Sequence, residues 1–152
     1  MNSSGAFVAR NAESRERLRA ILSHLREADY ARPIGHGWTV GAALAHLAHW
    51  DRTNLTRLRE REAAGSLVPR AIPTIADSVN DELLPSWLSM SPSQVAAEVT
   101  AAAEAVDKVV ARLPPDLVSA ILAIRARTLD RSIHRGEHLD EVERALSEAP
   151  NG

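Results

Sequence analysis

The chain has 152 residues, a formal net charge of −2 and 25% charged residues. A chain of this length buries about two thirds of its unfolded surface, so we expect one domain over residues 1–152. The nearly balanced charge provides no basic field for nucleic acid, which is therefore not an expected partner. The absence of cysteine excludes disulfides, thiolate metal sites and cysteine nucleophiles, and it suits a reducing compartment.

The hydropathy of the chain bears on its location in the cell. No apolar stretch approaches the roughly 18 residues that span a bilayer. The first residues also lack the basic segment and apolar run of a secretory signal. The sequence therefore predicts a soluble, cytoplasmic protein with no membrane partner.

Abundant alanine, arginine and glutamate, with few alternating β-branched residues, predict an all-α fold. The first helix carries apolar residues at core spacing and should end before Pro33, because a residue ahead of proline avoids the α region. These apolar residues are Leu18, Ile21, Leu22 and Leu25.

The second predicted helix is long and has signals at both ends. Thr39 is its expected N-cap, and apolar positions continue from Val40 to Leu58. Gly65 is placed to close the helix in a left-handed cap. Residues 65–73 are predicted to form a loop.

A shorter helical connector and a third long helix follow. The connector covers residues 74–90, where Pro85 predicts a kink or a break. The third helix has Ser91 as N-cap, Pro92 in the first turn and Gln94 completing a capping box. These signals make it the clearest helix of the sequence.

The last predicted helix runs to the C-terminal region. Pro114 stops the third helix, and the last one should begin near Asp116 or Ser119 and continue to about Glu148. Four long amphipathic helices with one short, broken helical connector predict a four-helix bundle.

Three histidines are the candidate metal ligands. His134 and His138 lie one helical turn apart and project to the same face. His46 lies on the flank of the apolar stripe of the second helix, whereas His49 is expected to meet solvent. Three imidazoles from two helices match a metal site with three protein ligands and one open position. Zinc is the first choice, and nickel, copper and iron remain open, as does chance placement of the pair on a solvated face.

Asp51 is a carboxylate near the middle of the apolar stripe of the second helix. Burial there is costly unless a partner satisfies the charge, and Arg131 or Arg135 on the last helix could supply it. A structural ion pair between helices is favoured over a catalytic role.

Two further residues are candidates for the surroundings of the histidines. Asp130 precedes His134 by one turn and could orient an imidazole, although a surface charge is an equal alternative. Trp50 follows His46 by one turn and could line a pocket beside the metal.

Several segments resemble the DinB-like superfamily, which includes the metal-binding domain of mycothiol-dependent maleylpyruvate isomerase and related thiol transferases. The resemblance covers nearly the whole chain. It rests on the Gly-Trp-Thr-Val segment 37–40 with His46 after it, on Val-Asn-Asp-Glu at 79–82, and on His134-Arg-Gly-Glu-His138-Leu.

The resemblance implies a four-helix bundle of up-down-down-up topology with a divalent metal held by His46, His134 and His138. For many relatives it also implies a low-molecular-weight thiol that coordinates the metal as thiolate and attacks an electrophile. Asn80, by its position in the matching segment, would reach the pocket.

The leading functional hypothesis is a metal-dependent transferase that uses mycothiol, bacillithiol or a similar thiol on a small electrophilic substrate. Arg131 or Arg135 would clamp polar groups of the thiol or of an anionic substrate. The alternatives are a metal-dependent hydrolase at the same site and a non-catalytic bundle that binds a metal or small ligand. A homodimer is also left open.

Overall fold

The computed structural model describes residues 3–64 and 75–148. Within these ranges it contains six α-helices, two short 3-10 helices and one small antiparallel hairpin, which confirms the all-α prediction. None of these helices combines the length and the apolar character that crossing a bilayer requires. The α-helices are α1 (Ser3–His24), α2 (Val40–Ala64), α3 (Ile75–Ser89), α4 (Pro92–Arg112), α5 (Pro115–Ile124) and α6 (Ser132–Ser147).

The four long helices α1, α2, α4 and α6 enclose the core. Both α1 and α2 pack against α4 and α6, so the four close a ring, and α3 lies against α2. One apolar cluster includes Leu44, Val99 and Leu139, and a second includes Leu58 and Val106. The first cluster includes Trp87, and the ring of Trp87 lies against that of His46.

Interhelical ion pairs show the direction of each helix. Arg10 contacts Asp130 and Arg17 contacts Asp140, so α1 and α6 run in the same direction. The pairs Arg15–Asp107 and Arg19–Glu104 show that α4 runs opposite to α1. The pairs Arg52–Glu98 and Glu62–Arg112 show that α4 runs parallel to α2. Consequently α2 and α6 are antiparallel neighbours.

The predicted starts of α2 and α4 are confirmed by their caps. The Thr39 hydroxyl accepts the N–H of Ala42 at 3.1 Å, and α2 begins at the next residue. At α4 the Ser91 hydroxyl accepts the Gln94 N–H at 3.2 Å, while the Gln94 side chain accepts the Ser91 N–H at 3.0 Å.

The connector is one helix, whereas a kink or a break at Pro85 was predicted. No break occurs at Pro85, because α3 continues to Ser89. Trp87 is buried in the last turn, and Leu83 and Leu84 pack on the core, so tertiary contacts on both sides of the proline hold the helix together. The predicted cap at Gly65 and the loop over 65–73 lie outside the described residues.

The last predicted helix is two helices, α5 and α6, and this part of the prediction was wrong. A 3-10 turn over Ala126–Thr128 separates them. Side-chain amides from other helices satisfy the carbonyls at this break: Asn54 donates to the oxygen of Thr128 at 2.6 Å, and Asn11 donates to that of Leu129 at 2.9 Å. Asn11 also accepts the Ser132 N–H at 3.1 Å, and this bond satisfies a free donor at the start of α6.

A small hairpin that the sequence analysis did not predict precedes α2. Its strands are β1 (Pro33–Gly35) and β2 (Trp38–Thr39). Gly35 and Gly37 have φ angles of 111° and 80°, which glycine adopts without the penalty of a side chain. The turn brings Trp38 back against the first residues of α2, close to His46.

Candidate metal centre

The antiparallel packing of α2 and α6 brings three distant histidines together. The ring centroid of His46 lies 5.0 Å from that of His134 and 4.6 Å from that of His138. The two rings on α6 are 4.8 Å apart. One ligand atom from each ring lies within 4.8 Å of the other two, and we call this group the three-histidine cluster.

The shortest contact in the cluster joins two imidazole nitrogens. Nε2 of His46 lies 3.0 Å from Nε2 of His134. In the metal-free protein two neutral rings can share this contact only if one nitrogen carries the proton and the other accepts it. A cation between the rings would instead be approached by the lone pairs of both nitrogens.

The cluster is buried enough to keep its rings neutral. Burial lowers the pKa of His46 to about 3 and that of His134 to about 2, and the neighbouring charge of His138 acts in the same direction. Burial also lowers the pKa of His138, against the opposing effect of Glu141 and Glu137. Neutral imidazole is the form that binds metal, so these rings are ready to bind at neutral pH.

The polar atoms of the cluster fit a bound cation. Nδ1 of His46 and Nδ1 of His138 are buried and have no hydrogen-bond partner among residues 3–64 and 75–148. Metal binding at Nε2 would fix the hydrogen of each ring on Nδ1, where it would need an acceptor. Three neutral nitrogen ligands are also a known donor set for a divalent ion with one open position. The three-histidine cluster could therefore bind a metal ion.

All three tryptophans of the chain surround His46. The ring centroids of Trp38, Trp87 and Trp50 lie 5.2, 5.4 and 6.5 Å from the His46 ring, each with its plane steeply inclined to the imidazole. Trp87 is buried, whereas Trp38 and Trp50 keep partly exposed surfaces. These rings lower the polarity around His46 and fix its orientation.

Asn80 lies beside the cluster, next to Trp50. Nε1 of Trp50 donates a hydrogen bond of 2.8 Å to Oδ1 of Asn80. The Asn80 side chain is close enough to His46 to favour the protonated ring, although no hydrogen bond is formed to the buried Nδ1. The structure thus places Trp50 and Asn80 where they could contribute to a pocket.

His49 does not face open solvent, contrary to the prediction. Its ring lies against Trp50 at 5.1 Å and Trp87 at 5.8 Å, and burial lowers its pKa. The prediction considered only the apolar stripe of α2. It missed that α3 covers a second face of this helix.

Asp51 is paired as predicted, with both candidate arginines. Its carboxylate accepts hydrogen bonds from Nε of Arg131 at 3.0 Å and from Nη2 of Arg135 at 3.2 Å. Arg135 also binds both carboxylate oxygens of Asp107, each at 3.0 Å. This buried network ties α2, α4 and α6 together, and Arg135 directly follows His134 in the chain.

The predicted role of these arginines as a ligand clamp does not fit their geometry. Arg135 is 1% exposed, and its terminal nitrogens are occupied by Asp51, Asp107 and Ser14. Arg131 is 7% exposed and donates to Asp51 and to the carbonyl oxygen of Arg127. Desolvated guanidinium groups need carboxylate or carbonyl partners, and here these partners lie on other helices or turns. Both side chains therefore hold helices together.

Asp130 does not orient an imidazole. One carboxylate oxygen accepts a hydrogen bond from Nε of Arg10 at 2.9 Å, and the other accepts from the hydroxyl of Ser132. The residue therefore anchors the α5–α6 break to α1.

Two charged residues near the cluster were missed by the sequence analysis. Arg127 contributes to lowering the pKa of His134, and it binds Glu137. Oε1 of Glu141 lies 3.6 Å from Nδ1 of His138. The spacing of His138 and Glu141, three residues apart on a helix, was a signal that could have identified this contact.

Comparisons with known proteins give one informative result. Neither the curated proteins nor the solved structures include a significant match to the chain. The family model of the DinB superfamily matches residues 10–138, a range that includes His46, His134 and His138. The chain therefore belongs to the DinB superfamily.

Proposed function

We propose that His46, His134 and His138 bind one divalent metal ion, with zinc as the first choice, and that the protein is a metal-dependent thiol transferase. The observation that carries the proposal is the convergence of three imidazoles from two helices, with His46 buried and His134 and His138 half-buried. The proposed substrates are a low-molecular-weight thiol, such as mycothiol or bacillithiol, and a small electrophile. The absence of cysteine suits a reducing cytoplasm as its location.

A divalent ion held by three neutral ligands keeps its full charge and acts as a Lewis acid that lowers the pKa of a thiol or water bound to it. The chain has no cysteine, so a reacting thiol has to come from outside. In the transfer, the sulfur forms a bond to the electrophilic carbon and the leaving group departs with its electron pair. The thiol proton passes to solvent.

The residues around the cluster hold the ligands and limit the access of water. Trp38 and Trp87 pack against the His46 ring, and the hydrogen bond between Trp50 and Asn80 fastens α3 to α2 beside it. The network of Asp51, Arg131 and Arg135 fixes α6 relative to α2. Ligand side chains that are already held in place favour metal binding, because they lose little conformational entropy when the ion binds.

A cobalt-loaded sample tests the thiol directly. Adding mycothiol or bacillithiol should produce a sulfur-to-cobalt charge-transfer band, and the thiol should react with monochlorobimane faster than it does without protein, with loss of chloride. The variant His134→Ala serves as the control without a complete cluster. Bound cobalt whose spectrum responds to neither thiol would contradict the transferase, and would favour the hydrolase or the non-catalytic metal-binding bundle.

A further inference from the structure

The two unpartnered nitrogens of the cluster differ in what lies next to them. Nδ1 of His138 is buried, and the carboxylate of Glu141 lies beside it, with Oε1 at 3.6 Å. This distance exceeds the usual N–H···O length of about 2.9 Å, so the two groups are adjacent but form no hydrogen bond. The Glu141 side chain is 40% exposed, which leaves the carboxylate room to move.

A histidine that binds a metal through one ring nitrogen carries a hydrogen on the other. Such rings almost always donate this hydrogen to a carboxylate, a carbonyl or a water, and the bond fixes both the tautomer and the ring orientation. In His138 the nitrogen beside Glu141 is Nδ1, which leaves Nε2 for the cluster. The arrangement matches a carboxylate–histidine–metal series.

We propose that the Glu141 carboxylate accepts the Nδ1 hydrogen of His138 and so directs Nε2 of this ring into the three-histidine cluster. Glu141 is then a positioning residue, since it acts on the metal only through His138. The inference rests on the proposed function, because it assumes that the cluster binds a divalent ion.

Two observations distinguish this contact from an ordinary surface ion pair. First, Nδ1 of His138 is a buried atom and the His138 side chain is only 17% exposed, so the nitrogen that faces Glu141 is shielded from solvent. Second, Glu137 lies on the same helix as Glu141 but is bound to Arg127, so it is not free to take the same position. Glu141 thus lies beside His138, whereas Glu137 is paired with Arg127.

Zinc affinity, measured by competition with a chelator, tests the proposal with matched variants. Glu141→Ala should weaken zinc binding about 10- to 100-fold. Glu141→Gln keeps an oxygen acceptor and should lose less affinity than the alanine variant. Glu137→Gln, which removes the same charge from the same helix, should stay close to the wild type. Alanine and glutamine both favour helix, so α6 should remain folded in all three.

Nitrogen NMR of the zinc-loaded protein gives a second measurement. The wild type should show His138 with hydrogen on Nδ1 and zinc on Nε2, and this Nδ1 signal should shift in Glu141→Ala. Unchanged affinity and an unchanged signal in this variant, with zinc still binding to the wild type, would overturn the role of Glu141 alone. A wild type that binds no zinc would overturn the proposed function and this inference with it.

Discussion

Nε2 of His46 and Nε2 of His134 lie 3.0 Å apart, although the two residues are 88 positions apart in the chain. Two imidazole nitrogens at this distance share at most one proton, and the buried Nδ1 atoms of His46 and His138 have no hydrogen-bond partner in the described part of the chain. This arrangement is costly for an isolated bundle and suitable for binding a cation. The predictions below test its consequences.

Acid should destabilise the metal-free protein. The folded state holds His46 and His134 neutral, with pKa values of about 3 and 2, whereas in the unfolded chain their pKa lies near the ordinary value of 6.5. Below this pH the unfolded state binds more protons, so the free energy of unfolding falls as the pH falls. The loss is at most about 1.4 kcal/mol per pH unit for each histidine. Urea unfolding between about pH 8 and pH 5 measures it.

Substitution of one cluster histidine should reduce this pH dependence. His46→Leu removes one of the buried titrating groups, whereas His24→Gln replaces an exposed histidine at the end of α1 and serves as the control. The same slope for His46→Leu and wild type would contradict the burial-driven neutrality of the cluster.

Breaking the buried network of Asp51, Asp107 and Arg135 should cost far more stability than breaking a surface pair. Arg135→Ala removes the one arginine that Asp51 and Asp107 share, so each buried carboxylate loses one of its two arginine partners, and the free energy of unfolding should fall by about 3–5 kcal/mol. Arg17→Ala removes exposed pairs with Asp140 and Glu143 and should cost about 0–1 kcal/mol. Similar losses in the two variants, measured by urea unfolding, would argue against a tightly packed network.

Metal binding should be visible in tryptophan fluorescence. Every tryptophan of the chain lies beside His46, with ring centroids within 6.5 Å, so a quenching ion such as Cu²⁺ or Ni²⁺ in the cluster should quench most of the emission. Quenching should saturate at one ion per chain and be absent at the same ion concentration in His134→Ala. Equal quenching of this variant would indicate ions bound elsewhere.

The break between α5 and α6 should depend on Asn11. Asn11→Ala removes the donor to the Leu129 carbonyl and the acceptor for the Ser132 N–H, leaving buried polar groups that cost about 1–3 kcal/mol each. Hydrogen exchange over residues 125–132 should accelerate more than exchange in α4. Uniform acceleration along the chain would show only a global loss of stability.

Local signals were sufficient to predict the helix starts and the histidine face. Thr39 and the pair of Ser91 with Gln94 cap their helices through contacts within three residues, so the sequence alone contains the whole interaction. His134 and His138 share a face because of the helical repeat. These features need no knowledge of distant residues.

The errors involve contacts between residues that are far apart in the sequence. The break before α6 contains no proline or glycine, and it is stabilised by Asn11 and Asn54, on other helices. His49 is covered because α3 packs over α2, and Arg135 is buried because two carboxylates on different helices converge on it. No local periodicity reports such tertiary partners.

The metal content of the purified protein tests the central claim most directly. After dialysis against zinc and then against metal-free buffer, the wild type should retain about one zinc ion per chain. The His46→Ala, His134→Ala and His138→Ala variants should each retain far less, while His24→Gln should match the wild type. A wild type without bound zinc, or cluster variants that retain as much zinc as the wild type, would contradict the account.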